Sequence, residues 1–244
     1  SAIGMSPDLI WKCKNGTSET AFPDKNKIKF VKDEEMPLKS LRNLINNSKI
    51  DIPDNLPPLS AGLFGYIGYD MVSYFENISI KNADPLELPE TILIRPSLIC
   101  IFDRLKDEFI LITPVRPKLG VTAEQAWNKG TKIIANAVNE LNSGLDHSNL
   151  PVQKDFHQDN NAPSNLTKSE FYSSVEKAKE YIKSGDVYQV VLSQRFEIPF
   201  QKSSISFYRS LRRLNPSPFL FHFNFGDSYV VGSSPEIRVR LRDP

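Results

Sequence analysis

The chain has 244 residues, 40% hydrophobic and 24% charged, and its 30 Lys and Arg nearly balance its 29 Asp and Glu, leaving a net charge of +1. That length supports one large or two ordinary domains with a sizeable core. The near-neutral charge argues against nucleic acid as a partner and against a polybasic membrane surface. No apolar run is long enough to span a membrane, and the first residues lack the charged and apolar regions of a signal peptide. Cys13 and Cys100 both fall in apolar, strand-like stretches. The expectation is two buried free thiols in a reducing, cytoplasmic setting.

Residues 8–31 alternate short apolar runs with turn residues, which predicts a β meander with turns at Asn15-Gly16 and Asp24. A helix follows in "MPLKSLRNLIN", with Pro37 in its first turn and Leu38, Leu41, Leu44 and Ile45 on one face. "DIPDNLPPLS" reads as a proline-rich loop. In "AGLFGYIGYDMVSYFE" the glycines at 62, 65 and 68 do not form a dinucleotide fingerprint; they predict a strand that lets another backbone approach closely. "TILIRPSLICIFD" and "DEFILITPV" predict a long hairpin around Arg104–Asp107, apolar on both faces in places and so covered on both sides. Thr122-x-x-Gln125 is a capping box opening a helix to about Leu141.

The stretch from 142 to 165 is polar and aperiodic and reads as a linker or mobile loop; its His147 and His157 lack metal-ligand spacing. A second capping box, Thr167-x-x-Glu170, opens a helix with Phe171, Val175, Ala178 and Ile182 on one face and Gly185 at its end. "DVYQVVLSQRFEIPF" is expected to be a long strand, and "SISFYRSLRRL" a helix. Then comes "NPSPFLFHF", residues 215–223. Its two prolines fix φ, remove donors and press Asn215 and Ser217 toward extended geometry, so 215–218 should be a stiff corner. Phe219, Phe221, Phe223 and Phe225 should share one strand face, and "SYVVGSSPEIRVRLRDP" should give two more strands around Gly-Ser-Ser-Pro. The fold class expected is α+β, with mostly antiparallel sheets and flanking helices.

The residues alone offer little chemistry. There is no nucleophile elbow, phosphate loop, zinc ligand set or helix of paired carboxylates. Gln189 and Ser193 project from one face of an otherwise apolar segment, either lining a cavity or facing water. Glu236 follows Ser233, Ser234 and Pro235 at a turn, where an exposed carboxylate is the plain alternative.

"GDVYQVVLSQRF", "LRRLNPSPFLFHF" and "VVGSSPEI", in that order and spacing, resemble the chorismate-utilising enzymes. "SAIGMSPDLIWKCKNG", "PPLSAGLFGYIGYDMV" and "RPSLICIFDRLKDEFILITPVRP" are similar to component I of anthranilate synthase. The resemblance implies the N-terminal portion of an incomplete α/β sandwich. Residues 1–144 would be the N-terminal region, 145–165 a linker and 166–244 the truncated start of the chorismate-binding domain.

The same resemblance implies a lyase of tryptophan biosynthesis that aminates chorismate and eliminates pyruvate. It uses Mg²⁺ and takes ammonia from a glutamine amidotransferase component II. Relatives that add water carry a lysine base where this chain has Gln189, and Glu236 matches the acid for the departing hydroxyl. The metal-binding glutamates and catalytic histidine of the family would lie in the half not present, so no metal ligand is expected here and the chain alone is expected to be inactive. The corner corresponds to the family's site for feedback inhibition by L-tryptophan, with Pro218, Phe219 and Leu220 at contact positions and Asn215 and Pro216 shaping them. Component I of aminodeoxychorismate synthase, or a tryptophan-binding module without catalysis, are the alternatives.

Overall fold

A computed structural model describes residues 1–24, 27–80, 82–144 and 162–236. The chain divides into two compact units, Ser1–Ser148 and Asn149–Pro244. Unit 1 is an antiparallel sheet in the order β3-β2-β1-β5-β4, with β6 also on β5. Its strands are β1 (Ala2–Lys14), β2 (Thr17–Ala21), β3 (Phe30–Lys32), β4 (Phe64–Ile67), β5 (Thr91–Asp103) and β6 (Glu108–Ile112). Asn15 and Gly16, both at positive φ, close the two-residue turn between β1 and β2. The long β5 gives one edge to β1 and divides the other between β4 at residues 91–94 and β6 at 99–103.

Both faces of this sheet are covered in part, as its apolar strands require. Side chains alternate along β5, so Leu93 and Leu98 point to opposite sides. Leu93 joins Leu9, Trp11 and Cys13 beneath Leu41 and Leu44 of α1 (Pro37–Ser48). Leu98 and Cys100 meet Ala137 and Ile133 of α2 (Ala123–Asn142). Gly65 is required on steric grounds: a Cβ there would lie 1.9 Å from the carbonyl oxygen of Ile92. Glycine is what allows β4 to lie against β5.

A polar knot fixes the first turn of α1 to the sheet. Trp11 Nε1 donates to Asp33 Oδ2 (3.1 Å) and to Ser40 Oγ (2.9 Å). Ser40 Oγ donates to Asp33 Oδ2 (2.6 Å), and Thr20 Oγ1 to Asp33 Oδ1 (2.8 Å). Both cysteines are free and buried. Burial pushes the Cys13 thiol up to about 11 and raises that of Cys100 as well, so neither is poised as a nucleophile.

Unit 2 holds α3 (Lys168–Ser184), α4 (Ser204–Leu214) and a two-stranded sheet of β7 (Phe219–Asn224) and β8 (Tyr229–Ser234). Both predicted capping boxes form, Thr122 with Gln125 and Thr167 with Glu170. The strand predicted over 186–200 does not form. That segment carries one bridge, Ser164 to Phe196, flanked by the bonds Asn165 N to Arg195 O (3.0 Å) and Glu197 N to Pro163 O (3.1 Å). Its alternating apolar residues have the composition of a strand, but a strand exists through its ladder, and 163–165 is too short to supply one. The Gly-Ser-Ser stretch, predicted as a turn, is the end of β8; the bend falls at Pro235–Glu236. The strand predicted beyond it lies outside the described residues, as do His147, His157 and the polar stretch 145–161.

Candidate functional site

Most of the residues singled out from the sequence gather at one end of the β7–β8 hairpin. Ser203 caps α4, its Oγ accepting from Ser206 N. On the hairpin face toward α4, His222 Nε2 and Ser204 Oγ lie 3.0 Å apart, and the His222 and Tyr208 rings meet edge to face at 5.8 Å. These contacts hold the first half of α4 against β7. Phe221, Phe223 and Phe225 stack in succession along the other face, with centroids 5.4 and 5.8 Å apart. Gly232, opposite Phe221, makes room for the ring: a Cβ there would lie 2.2 Å from it.

The corner between α4 and β7 is built from main-chain groups. Asn215 N donates to Leu211 O (2.8 Å), ending the helix. The Asn215 carbonyl accepts from Ser233 Oγ at 3.0 Å. Ser217 Oγ donates to the carbonyl of Ser234. Ser234 Oγ in turn donates to the carbonyl of Glu236 at 3.0 Å. Pro216, Pro218 and Phe219 are exposed along this corner, and Leu220 is half-buried behind it. Glu236 is exposed at the bend just after β8.

Gln189 lies apart from that cluster, exposed in a shallow hollow of about 380 Å³ formed by 186–189 and Val191. Glu236 is not among the residues lining it. Just upstream, Ser184 Oγ donates to Asp186 Oδ2 (2.6 Å), fixing the exit from α3. A larger hollow of about 430 Å³ belongs to unit 1, between α1 and β4, where Leu41, Ile45, Leu63 and Ile67 face it. None of the candidate catalytic or tryptophan-binding residues read from the sequence lines it.

Among the described residues, no group of three or more His, Cys, Asp and Glu side chains is arranged to hold a metal ion. Also among the described residues, no helix is long and apolar enough to cross a membrane.

The serines at 233 and 234 were read from the sequence only as the lead-in to Glu236. Their structural part is to tie the corner to that bend. The local signal was two hydroxyl residues before a proline; the partner of Ser233, the Asn215 carbonyl eighteen residues back, carried none.

An antiparallel α+β chain whose hairpin joins an Asn-Pro-Ser-Pro corner to a Ser-Ser-Pro-Glu bend defines the class. The chain belongs to the family of chorismate binding enzymes, whose model matches residues 6–244. More particularly, it is 43% identical over 250 residues to anthranilate synthase component 1 of Cereibacter sphaeroides, covering 100% of this chain and 48% of that protein. It is 35% identical to the Aquifex aeolicus protein of the same name, over 90% of this chain and 44% of that one. The fold matches the crystal structure of anthranilate synthase component I from Streptococcus pneumoniae with a TM-score of 0.73 and 26% identity, covering 97% of this chain and 50% of that one. The chain thus spans about half the length of the relatives it matches.

Proposed function

We propose that this chain is the N-terminal part of component I of an anthranilate synthase, which adds ammonia to chorismate as a hydroxyl leaves and then eliminates pyruvate. The observation that carries the reading is similarity to proteins of that name along the full chain, the Gln189, Asn215 and Glu236 segments included. Residues 1–144 form the N-terminal region, 145–165 the linker and 166–244 the opening of the chorismate-binding domain. The whole protein works in the cytoplasm, with an amidotransferase partner supplying ammonia, Mg²⁺ held by residues outside this chain, and L-tryptophan as feedback inhibitor.

Gln189 suits amination. An amide side chain cannot take a proton from water, but ammonia carries its own reactive lone pair and needs no base to expose it. Glu236 serves as the acid that protonates the departing hydroxyl. That role requires a pKa raised by desolvation. Glu236 is exposed here, so the enclosure comes from the rest of the whole protein. Tryptophan meets Pro218, Phe219 and Leu220 at the corner shaped by Asn215 and Pro216, whose stiffness lowers the entropy lost on binding.

The test joins this chain to the remaining half of the Cereibacter sphaeroides relative and analyses the products from chorismate, ammonium and Mg²⁺. Gln189→Lys is expected to divert product from the aminated to the hydroxylated compound. An unchanged product ratio in a folded, active variant would overturn the role given to Gln189. This chain alone should give no anthranilate fluorescence above a protein-free control.

A further inference from the structure

We propose that Ser233 and Ser234 are positioning residues that join the Asn215–Pro218 corner to Glu236, so that a ligand seated on the corner displaces the candidate acid. The proposal rests on the functional reading above, and its two measurements fail separately from that reading.

The path is short and continuous. The β7–β8 ladder sets Ser234 opposite Phe219 and Ser233 opposite Leu220. Consecutive strand residues point to opposite faces, and the two hydroxyls accordingly serve different groups. Ser233 Oγ holds the Asn215 carbonyl at 3.0 Å. Ser234 Oγ holds the Glu236 carbonyl at 3.0 Å, while the Ser234 carbonyl accepts from Ser217 Oγ. From Asn215 to Glu236 the route thus runs through two side-chain hydrogen bonds and one peptide unit.

Both ends of the route are stiff. Pro216 and Pro218 restrict φ at the corner, and Pro235 restricts it between Ser234 and Glu236. A displacement of Ser234 is therefore passed to Glu236 and not absorbed at the bend. The link is a two-ended mechanical element whose position both the corner and the bend can bias, which is what coupling between two sites requires. The plain alternative is that each hydroxyl satisfies a carbonyl left open at the end of α4 or β8. That alternative keeps the effect of each serine local.

Amide resonances of the isotopically labelled 244-residue chain separate the two. Ser233→Ala should speed exchange of the Phe219 amide about fivefold, the factor for losing one ordinary hydrogen bond. It should also shift the Glu236 amide resonance, and Ser233→Thr, which keeps the hydroxyl, should restore both. A change confined to the corner, or none at all, would overturn the proposal. L-tryptophan is then titrated into the unmodified chain and into Ser234→Ala. The relay expects shifts at Phe219 in both proteins, and at Glu236 in the unmodified chain only. Equal Glu236 responses in the two proteins would contradict it. Absence of any Phe219 response in the unmodified chain would count against the tryptophan reading, leaving the Ser233→Ala result to decide the relay.

Discussion

Replacing Asp33 by alanine is expected to be among the most damaging changes to a polar residue in unit 1. Its carboxylate accepts from Trp11, Ser40 and Thr20 at 3.1, 2.6 and 2.8 Å, joining α1 to β1 and β2. Hydrogen bonds to a charged acceptor are worth about 1.5–3 kcal/mol each. Asp33 is half-buried, so water replaces part of that, and about 1 kcal/mol per bond gives a loss of about 3 kcal/mol. Trp11 keeps Ser40 as an acceptor, which holds the loss to that level.

Urea unfolding followed by tryptophan fluorescence reads this directly, because Trp11 is fully buried whereas Trp127 is 71% exposed. The midpoint should fall with the slope unchanged. The acid limb gives a second reading. Burial alone would raise the Asp33 pKa, but the bonds from Ser40, Thr20 and Trp11 outweigh it and hold the carboxyl below its usual value. A depressed folded pKa stabilises the protein above the unfolded pKa of about 3.9, and that contribution is lost as pH falls through the folded value. Asp33→Asn, which cannot ionise, should flatten stability against pH in that window. A loss below about 0.5 kcal/mol for Asp33→Ala, within the range of ordinary surface substitutions, would refute the reasoning. So would an unchanged acid limb for Asp33→Asn.

Three further outcomes are expected. Gly65→Ala should cost about 3 kcal/mol or more in thermal or urea unfolding, because its Cβ has no room beside the Ile92 carbonyl; a near-neutral result would mean that β4 can move away freely. Cys13 and Cys100 should resist a thiol reagent at neutral pH in the folded chain and react on unfolding, since both are buried with raised pKa values; rapid labelling without unfolding would contradict that burial. Phe219→Ala, in the chain joined to the second half of its relative, should weaken tryptophan inhibition by about 1–3 kcal/mol of coupling while turnover is kept; inhibition curves that superimpose would remove Phe219 from the effector site.

Local rules carried much of the fold. Two Thr-initiated capping boxes, the Asn15-Gly16 turn and the close approach at Gly65 follow from side-chain chemistry within a few residues, and all of them formed. Segment 186–200 did not obey its own pattern, because ladder formation depends on a neighbour that alternation cannot reveal. The knot at Asp33 was invisible for a related reason: Trp11, Thr20, Asp33 and Ser40 come together only once β1, β2 and α1 have packed. The candidate site divides in the same way. The Asn-Pro-Ser-Pro corner and Glu236 stood out as motifs, but the Ser233–Asn215 bond that helps join them crosses eighteen residues and becomes apparent only when β7 pairs with β8.

The most direct measurement is anthranilate fluorescence from this chain joined to the remaining half of the Cereibacter sphaeroides relative, supplied with chorismate, ammonium and Mg²⁺. Anthranilate should form, and Glu236→Gln in the same folded protein should lower kcat by about 10²–10⁴, the range for losing a general acid. A folded joined protein that makes no anthranilate while the parent relative does, or a Glu236→Gln variant that turns over at the unmodified rate, would contradict the proposed chemistry.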